Sequence, residues 1–256
     1  MSEPIHQPFW LDSKPVVFPP THLAMTEPDG LLAVGGDLTP EWLLNAYHKG
    51  IFPWFNEDDP ILWWTPNPRS VLFINSLKVR RSLIKTIRKQ QFTVTLDQQF
   101  EDVMHQCANI ERHDQDGTWI SEEMLSAYTQ LHKSGHAHSV EVWKDNQLVG
   151  GLYGVAIGKV FFGESMFSKV PDASKIALVA LCQQLKAWGF RIIDTQMETA
   201  HLRSLGATLI SREYFESILK QETHKDFAPK PWTLEVDWQA PFLAQPTIKK
   251  QKTTTP

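Results

Sequence analysis

Glu164, Asp194 and Gln196 stand at the ends of segments that are otherwise aromatic, aliphatic or glycine, GGLYGVAIGKVFFGES and FRIIDTQ. Asp194 and Gln196 are two apart, a spacing that puts both on one face of a strand. A carboxylate beside a carboxamide in apolar surroundings is costly unless it is hydrogen-bonded. A proton-handling site meets that demand, and so does a structural hydrogen-bond network at a strand end. The spacing alone leaves both open.

Other catalytic signatures do not develop. The chain holds no G-x-G-x-x-G and no P-loop, and DGTWIS is a turn before a helix. Ser165 follows Glu164 in GES, not in the G-x-S-x-G of a serine-hydrolase elbow. His136 and His138 alternate on a strand, but no third ligand has suitable spacing, so they read as edge-strand polar residues and no metal or cofactor is expected. Cys107 and Cys182 are far apart in apparent helices, which suits buried thiols in a reducing cytosol.

Two features suggest a larger ligand. SLKVRRSLIKTIRKQ is an amphipathic helix with Val79, Leu83 and Ile87 as its apolar stripe. Lys78, Arg81, Lys85, Arg88 and Lys89, with Arg80 nearby, gather on its other side, and no acid lies between Lys78 and Gln91. Such a face is either solvated or tracks a polyanion; in a chain of formal charge -4 the local asymmetry favours an anionic partner. Tyr47 and Trp54, in AYHKGIFPW, either stack on a nucleobase, worth roughly 1–3 kcal/mol per base, or close a small core.

The elements that must position these residues follow from pattern. With 256 residues, 42% hydrophobic and 21% charged, the chain is a globular protein of one large or two smaller domains. No apolar run reaches membrane-spanning length and the N-terminus lacks a signal pattern, so a soluble cytoplasmic protein is expected. Residues 1–68 form a Pro-, Gly- and Trp-rich unit with one helix, from Thr39 or Pro40 to Gly50, followed by a proline-braced loop. The larger unit, 69–240, predicts a helix beginning at Leu96 or Asp97 and another capped by Ser121. A hairpin turning at Asp145–Asn146, a turn at Gly158, a helix ending at Gly189, the strand FRIID and a final helix REYFESILK follow. Helices, then a meander of strands, then helix and strand, read as mixed α/β with one central sheet. The glycines at 150, 151, 154, 158 and 163 allow close backbone approach, first of all by neighbouring strands. Residues 241–256 read as a disordered tail.

EPDGLLAVGGDL, AYHKGIFPWF, ILWWTPNPR, GTWIS, LHKSGHAHSVEVW, LVGGLYGV, FFGESMFS, ASKIAL and HLRSLGA together resemble the leucyl/phenylalanyl-tRNA–protein transferases, in one uninterrupted order over nearly all of residues 17–220. The resemblance implies transfer of Leu or Phe, with Met a further donor, from aminoacyl-tRNA to the N-terminal Arg or Lys of a protein, marking it for degradation. It implies a small N-terminal domain before an acetyltransferase-like (GNAT) domain in a monomer that needs no cofactor. Carried over, Asp194 and Gln196 match the catalytic pair with Glu164 beside them. Tyr47 and Trp54 match aromatics near the terminal adenosine. Trp119, Tyr128, Phe161, Met166, Leu178 and Ile193 match the apolar pocket, and the basic helix matches the tRNA-contacting surface. Thr195 stands where Cys is frequent, and Leu152 where Met occurs. Both flank the site without supplying its proton chemistry.

Two rivals remain at this level. An acyl-CoA N-acyltransferase on the same fold needs glycines to offer amides to a pyrophosphate, and SKVPDASKIA has none. A non-catalytic RNA-binding module gives no reason for the Glu164, Asp194 and Gln196 cluster.

Overall fold

The computed structural model describes residues 7–56, 58–109, 120–227 and 230–243. Two sheets organise the described residues. The smaller, in order β1-β2-β4-β3, contains β1 (Phe9–Leu11), β2 (Leu31–Gly35), β3 (Phe52–Pro53) and β4 (Leu62–Trp64). Helix α1 (Pro40–His48) lies between β2 and β3, capped by Thr39, whose Oγ1 accepts from the Trp42 N–H, and followed by Gly50 at φ +75°. The segment expected to be a proline-braced loop therefore holds two short antiparallel strands, β3 and β4. Its rings find burial by pairing: Trp63 is fully buried and stacks against Trp42.

The larger sheet has the order β11-β5-β10-β9-β8-β7-β6. Its members are β5 (Arg69–Phe73), β6 (Thr93–Leu96), β7 (Ala137–Lys144), β8 (Gln147–Ile157), β9 (Val160–Ser168), β10 (Ile192–Gln196) and β11 (Thr208–Ile210). The connecting helices are α2 (Arg81–Arg88), α3 (Phe100–Ala108), α4 (Glu122–Lys133), α5 (Ala173–Ala187), α6 (Ala200–Leu205), α7 (Arg212–Glu222) and the short α8 (Ala240–Leu243). The expectation of a mixed α/β fold around a central sheet is met. Strands β7, β8 and β9 are antiparallel neighbours, β9 and β10 are parallel, and β10 and β5 are antiparallel. Helix α5 packs on one face of β7–β9, and α3 and α4 pack on the other.

Several expected local signals are in place. Ser121 caps α4 by accepting from the Met124 N–H. Asp145 and Asn146 both take positive φ, as a two-residue hairpin turn requires. The glycines of β8 serve packing: a Cβ on Gly150 would meet Ala173 Cβ at 2.5 Å, and one on Gly154 would meet the Phe162 carbonyl oxygen at 2.2 Å. Cys107 and Cys182 are both buried free thiols, and burial pushes Cys182 up to about 12.

Other expectations are corrected. The basic helix begins at Arg81, because Ile74–Ser76 form a 3-10 turn and the Lys78 N–H donates to the Leu205 carbonyl, outside any helix. Helix α3 begins at Phe100, not at Leu96 or Asp97. Asp97 turns to φ +55° and its carboxylate accepts from the Ser139 and Trp232 backbone N–H groups. His138 is not on an edge. Strand β7 runs between β6 and β8, and His138 is buried, with Nδ1 2.8 Å from Asp97 Oδ2 and its ring stacked on Trp232. Phe242 of α8 packs on the α5 side of the sheet, so ordered chain extends past residue 240; residues 244–256, the rest of the expected tail, lie outside the described residues. Among the described residues no helix is long and apolar enough to cross a membrane.

Candidate active site

The parallel pairing of β9 with β10 stops at Asp194 opposite Phe162, although β9 continues to Ser168 along β8. Two irregularities sit at this parting. Register shifts in β8–β9 between Tyr153 and Gly154, leaving Glu164 as the extra residue, and again in β10–β5 between Asp194 and Gln196, leaving out Thr195. Such bulges re-aim side chains beside a cleft. The cleft is a cavity of about 530 Å³, walled by Leu152, Phe161, Met166, Leu178, Leu181 and Ile193. Its polar edge carries Glu164, Ser165, Thr195, Gln196 and His201.

The bulge overturns the expectation that Asp194 and Gln196 share a strand face. Gln196 takes φ +59° and lines the cavity, whereas Asp194 is wholly buried behind it. Asp194 is gripped by Arg69, whose Nε donates to Oδ1 at 2.9 Å and whose Nη2 donates to Oδ2 at 2.7 Å. The Gln196 backbone N–H also donates to Asp194 Oδ1, at 3.0 Å. Both oxygens of Asp194 are thus engaged, and the residue does not line the cavity.

Glu164 is the acid that faces the cleft. Its Oε1 accepts from Tyr47 Oη at 2.8 Å and from Gln196 Nε2 at 2.9 Å, and Oε2 accepts from Tyr128 Oη at 3.1 Å. The two tyrosine oxygens are also within hydrogen-bond distance of each other, so two hydroxyl protons serve three contacts. Burial raises the Glu164 carboxyl from the usual 4.5 to about 7. The nearby Asp194 charge adds to that rise, and the donors from Tyr47, Tyr128 and Gln196 oppose it. A carboxyl raised to about 7 beside an apolar cavity suits removal of a proton from a nucleophile near neutral pH.

The structure sorts the sequence-predicted residues. Phe161, Met166, Leu178 and Ile193 meet in the cavity wall, and Leu152 and Thr195 line it as expected. Tyr128 does not line the cavity, because its hydroxyl is committed to Glu164 on the other face of the sheet. Tyr47 is likewise fully buried, with its ring 5.0 Å from Phe162, so it offers no face to a nucleobase. Trp54 remains half-buried beside Trp64. Trp119 lies outside the described residues. Lys78, Arg80, Arg81, Lys85, Arg88 and Lys89 are all exposed, although Arg88 Nε donates to the Phe242 carbonyl. Sequence reasoning missed Leu181, His201 and above all Arg69. The one signal for Arg69 is its charge at the start of an apolar strand, in TPNPRSVLF.

A family model described as leucyl/phenylalanyl-tRNA protein transferase matches residues 71–220, and a second, for that family's N-terminal domain, matches residues 36–67. The chain belongs to the leucyl/phenylalanyl-tRNA–protein transferase family. Among relatives of that name, the protein of Nitrosospira multiformis is 59% identical over 83% of this chain and 90% of its own. That of Nitrosomonas eutropha is 56% identical over 86% and 94%, and that of Shewanella piezotolerans 54% over 86% and 93%. As a leucyl/phenylalanyl-tRNA–protein transferase family member, the chain is an aminoacyltransferase with aminoacyl-tRNA as donor and a protein as acceptor. Among solved structures, the L-PGS of Bacillus licheniformis is similar at TM-score 0.39 and 11% identity, over 74% of this chain and 64% of that one. A GCN5-related N-acetyltransferase-like protein from Streptococcus suis is similar at TM-score 0.29 and 12% identity, over 67% and 64%.

Proposed function

We propose that this aminoacyltransferase moves leucine or phenylalanine, and methionine as a further donor, to the α-amine of proteins that begin with Arg or Lys, marking them for degradation. The observation that carries the reading is the cavity itself: apolar walls of Phe161, Met166, Leu178, Leu181 and Ile193 end beside a carboxylate that titrates near neutrality. Leu, Phe and Met side chains ask only for apolar surroundings, and one methylene changes affinity there by only about 1–3 kcal/mol. The preference for Arg or Lys acceptors rests on the family resemblance, as does action as a cytoplasmic monomer. The division into a small domain over 1–68 and a catalytic domain over 69–240 belongs to the same reading. Lys78, Arg80, Arg81, Lys85, Arg88 and Lys89 are its contacts to tRNA phosphates, and Trp54 is its stacking residue.

In this mechanism the neutral amine attacks the ester carbonyl, a C–N bond forms, and the C–O bond to the terminal ribose breaks. Glu164 takes the proton that the amine loses and returns it to the departing ribose oxygen. Gln196 donates one Nε2 hydrogen to Glu164, which leaves its side-chain carbonyl to accept from the amine and align it. Asp194 acts one step back, by holding the Gln196 backbone. The proton acceptor is thus Glu164 in place of Asp194. Tyr47 and Tyr128 orient Glu164 and keep it partly ionised at cytosolic pH. Positioning of an already activated ester supplies much of the acceleration.

The test is transfer of labelled Phe from Phe-tRNA to an Arg-starting peptide, with the same peptide acetylated at its α-amine as control. Label on the free peptide alone supports the reading. Equal labelling of the acetylated peptide overturns it.

A further inference from the structure

The geometry points to Arg69 as a positioning residue for the transfer reaction, holding Asp194 as a fixed acceptor that sets Gln196 against Glu164. Arg69 opens β5, next to Ser70, the partner of Gln196 across the sheet. Its guanidinium is held between two rings, Phe52 of β3 at 4.7 Å and Phe215 of α7 at 4.8 Å. The small sheet, the last long helix and the cleft thus meet on one side chain.

Arg69 and Asp194 are both almost fully buried, at 1% and 0% exposure. Taking two charges out of water is expensive, and replacing such a pair by well-packed apolar residues is often neutral or stabilising. Arg69 Nη1 adds to the cost, because it is buried with no hydrogen-bond partner among the described residues. Stability alone is therefore a poor reason for the pair.

Orientation is a better one. A planar fork fixes both carboxylate oxygens in one plane, which a lysine cannot do. Asp194 Oδ1 is shared between Arg69 Nε and the Gln196 N–H, so the fork sets where that N–H must point. Gln196 needs the help, since its φ of +59° is disfavoured for a residue with a Cβ and persists only when its surroundings over-determine it. From there Gln196 Nε2 reaches Glu164 Oε1. The line Arg69, Asp194, Gln196, Glu164 runs from a ring-clamped cation to the cavity edge.

The inference rests on the transfer reading above, and the experiment separates the two. Steady-state transfer of Phe to an Arg-starting peptide, at varied Phe-tRNA concentration, is measured for the wild type, Arg69→Lys, the double variant Arg69→Met/Asp194→Leu, and Glu164→Gln. Circular dichroism and thermal melting run alongside. Arg69→Lys keeps the charge and loses the fork. Its kcat is expected to fall about tenfold or more while KM for Phe-tRNA stays within about twofold. The double variant carries no buried charge and is expected to melt near the wild type while kcat falls about 100-fold or more. A folded double variant with near-wild-type kcat overturns the inference, and so does wild-type kcat in Arg69→Lys, which decides alone if the double variant fails to fold. A fully active Glu164→Gln enzyme overturns Glu164 as proton acceptor, and Arg69 is still judged by its own variants.

Discussion

Gln196 Nε2 donates to Glu164 Oε1 at 2.9 Å, joining two strands whose backbone pairing has already ended at Asp194 and Phe162. That side-chain bond spans the point where the sheet opens into the cavity. A carboxyl raised to about 7 and a carboxamide thus share one hydrogen bond at the edge of an apolar pocket.

Glu164 sets the first expectation. With its carboxyl at about 7, single-turnover transfer at saturating aminoacyl-tRNA, divided by the fraction of acceptor α-amine that is neutral (pKa about 8), should rise through pH 7 with unit slope and level off above it. Glu164→Gln should lower the plateau by about 100-fold, within the usual 10²–10⁴ range for general-base removal, and erase that limb. A limb that persists near pH 7 in the variant assigns the titration to another group.

Tyr47→Phe should move the limb. The Tyr47 hydroxyl donates to Glu164 Oε1 and favours its ionised form, so its loss raises the carboxyl further and shifts the midpoint to higher pH. The ring is kept, so the stability cost should be near the net worth of one hydrogen bond, about 1 kcal/mol. A pH–rate series together with urea unfolding measures both.

Stability carries the same signature with a fixed sign. Folding raises the Glu164 carboxyl from 4.5 to about 7, so the folded state binds the proton more tightly. This contribution is fully present below about pH 4.5 and is lost as pH climbs through 7. The unfolding free energy of the wild type minus that of Glu164→Gln should therefore fall between those limits, by on the order of 3 kcal/mol. Taking the difference cancels the histidines His48, His136, His138 and His201, whose lowered pKa values act with the opposite sign. A flat difference contradicts the assignment.

The cavity wall predicts specificity. Leu178→Phe narrows the pocket at about 1–3 kcal/mol of overpacking and should reduce use of Phe-tRNA at least tenfold more than use of Leu-tRNA. Ile-tRNA and Val-tRNA should be poor donors for the wild type, because β-branching places width close to the ester. Competition between charged tRNAs measures both ratios, and equal use of Ile counts against the pocket.

The basic face predicts salt dependence. Arg81→Ala/Lys85→Ala should weaken tRNA binding and make the slope of log K against log salt shallower by about 1–2, as loss of two phosphate contacts requires. Both residues are exposed, so thermal stability should hardly change. An unchanged slope leaves the face as solvated surface.

Much of this protein was legible as local pattern. The caps at Thr39 and Ser121, the Asp145–Asn146 turn, the central helix that became α5 and the apolar strand β10 all came from spacing, because each is decided by contacts within a few residues. The motifs also announced the family, and the acidic and amide residues of the site were named from their odd company at strand ends. Their arrangement was not legible. Alternation predicted one face for Asp194 and Gln196, but a bulge at Thr195 separated them. Tyr47 and Tyr128 were expected against ligand and instead hold Glu164 from inside the core. Arg69 meets Asp194 across 125 residues of chain, a partnership that no period or cap encodes. Side-chain identity and short-range propensity belong to the sequence, and they supplied the parts. Which acid is held by a buried cation and which faces the cavity depends on strand register and burial, which exist only once distant segments pack.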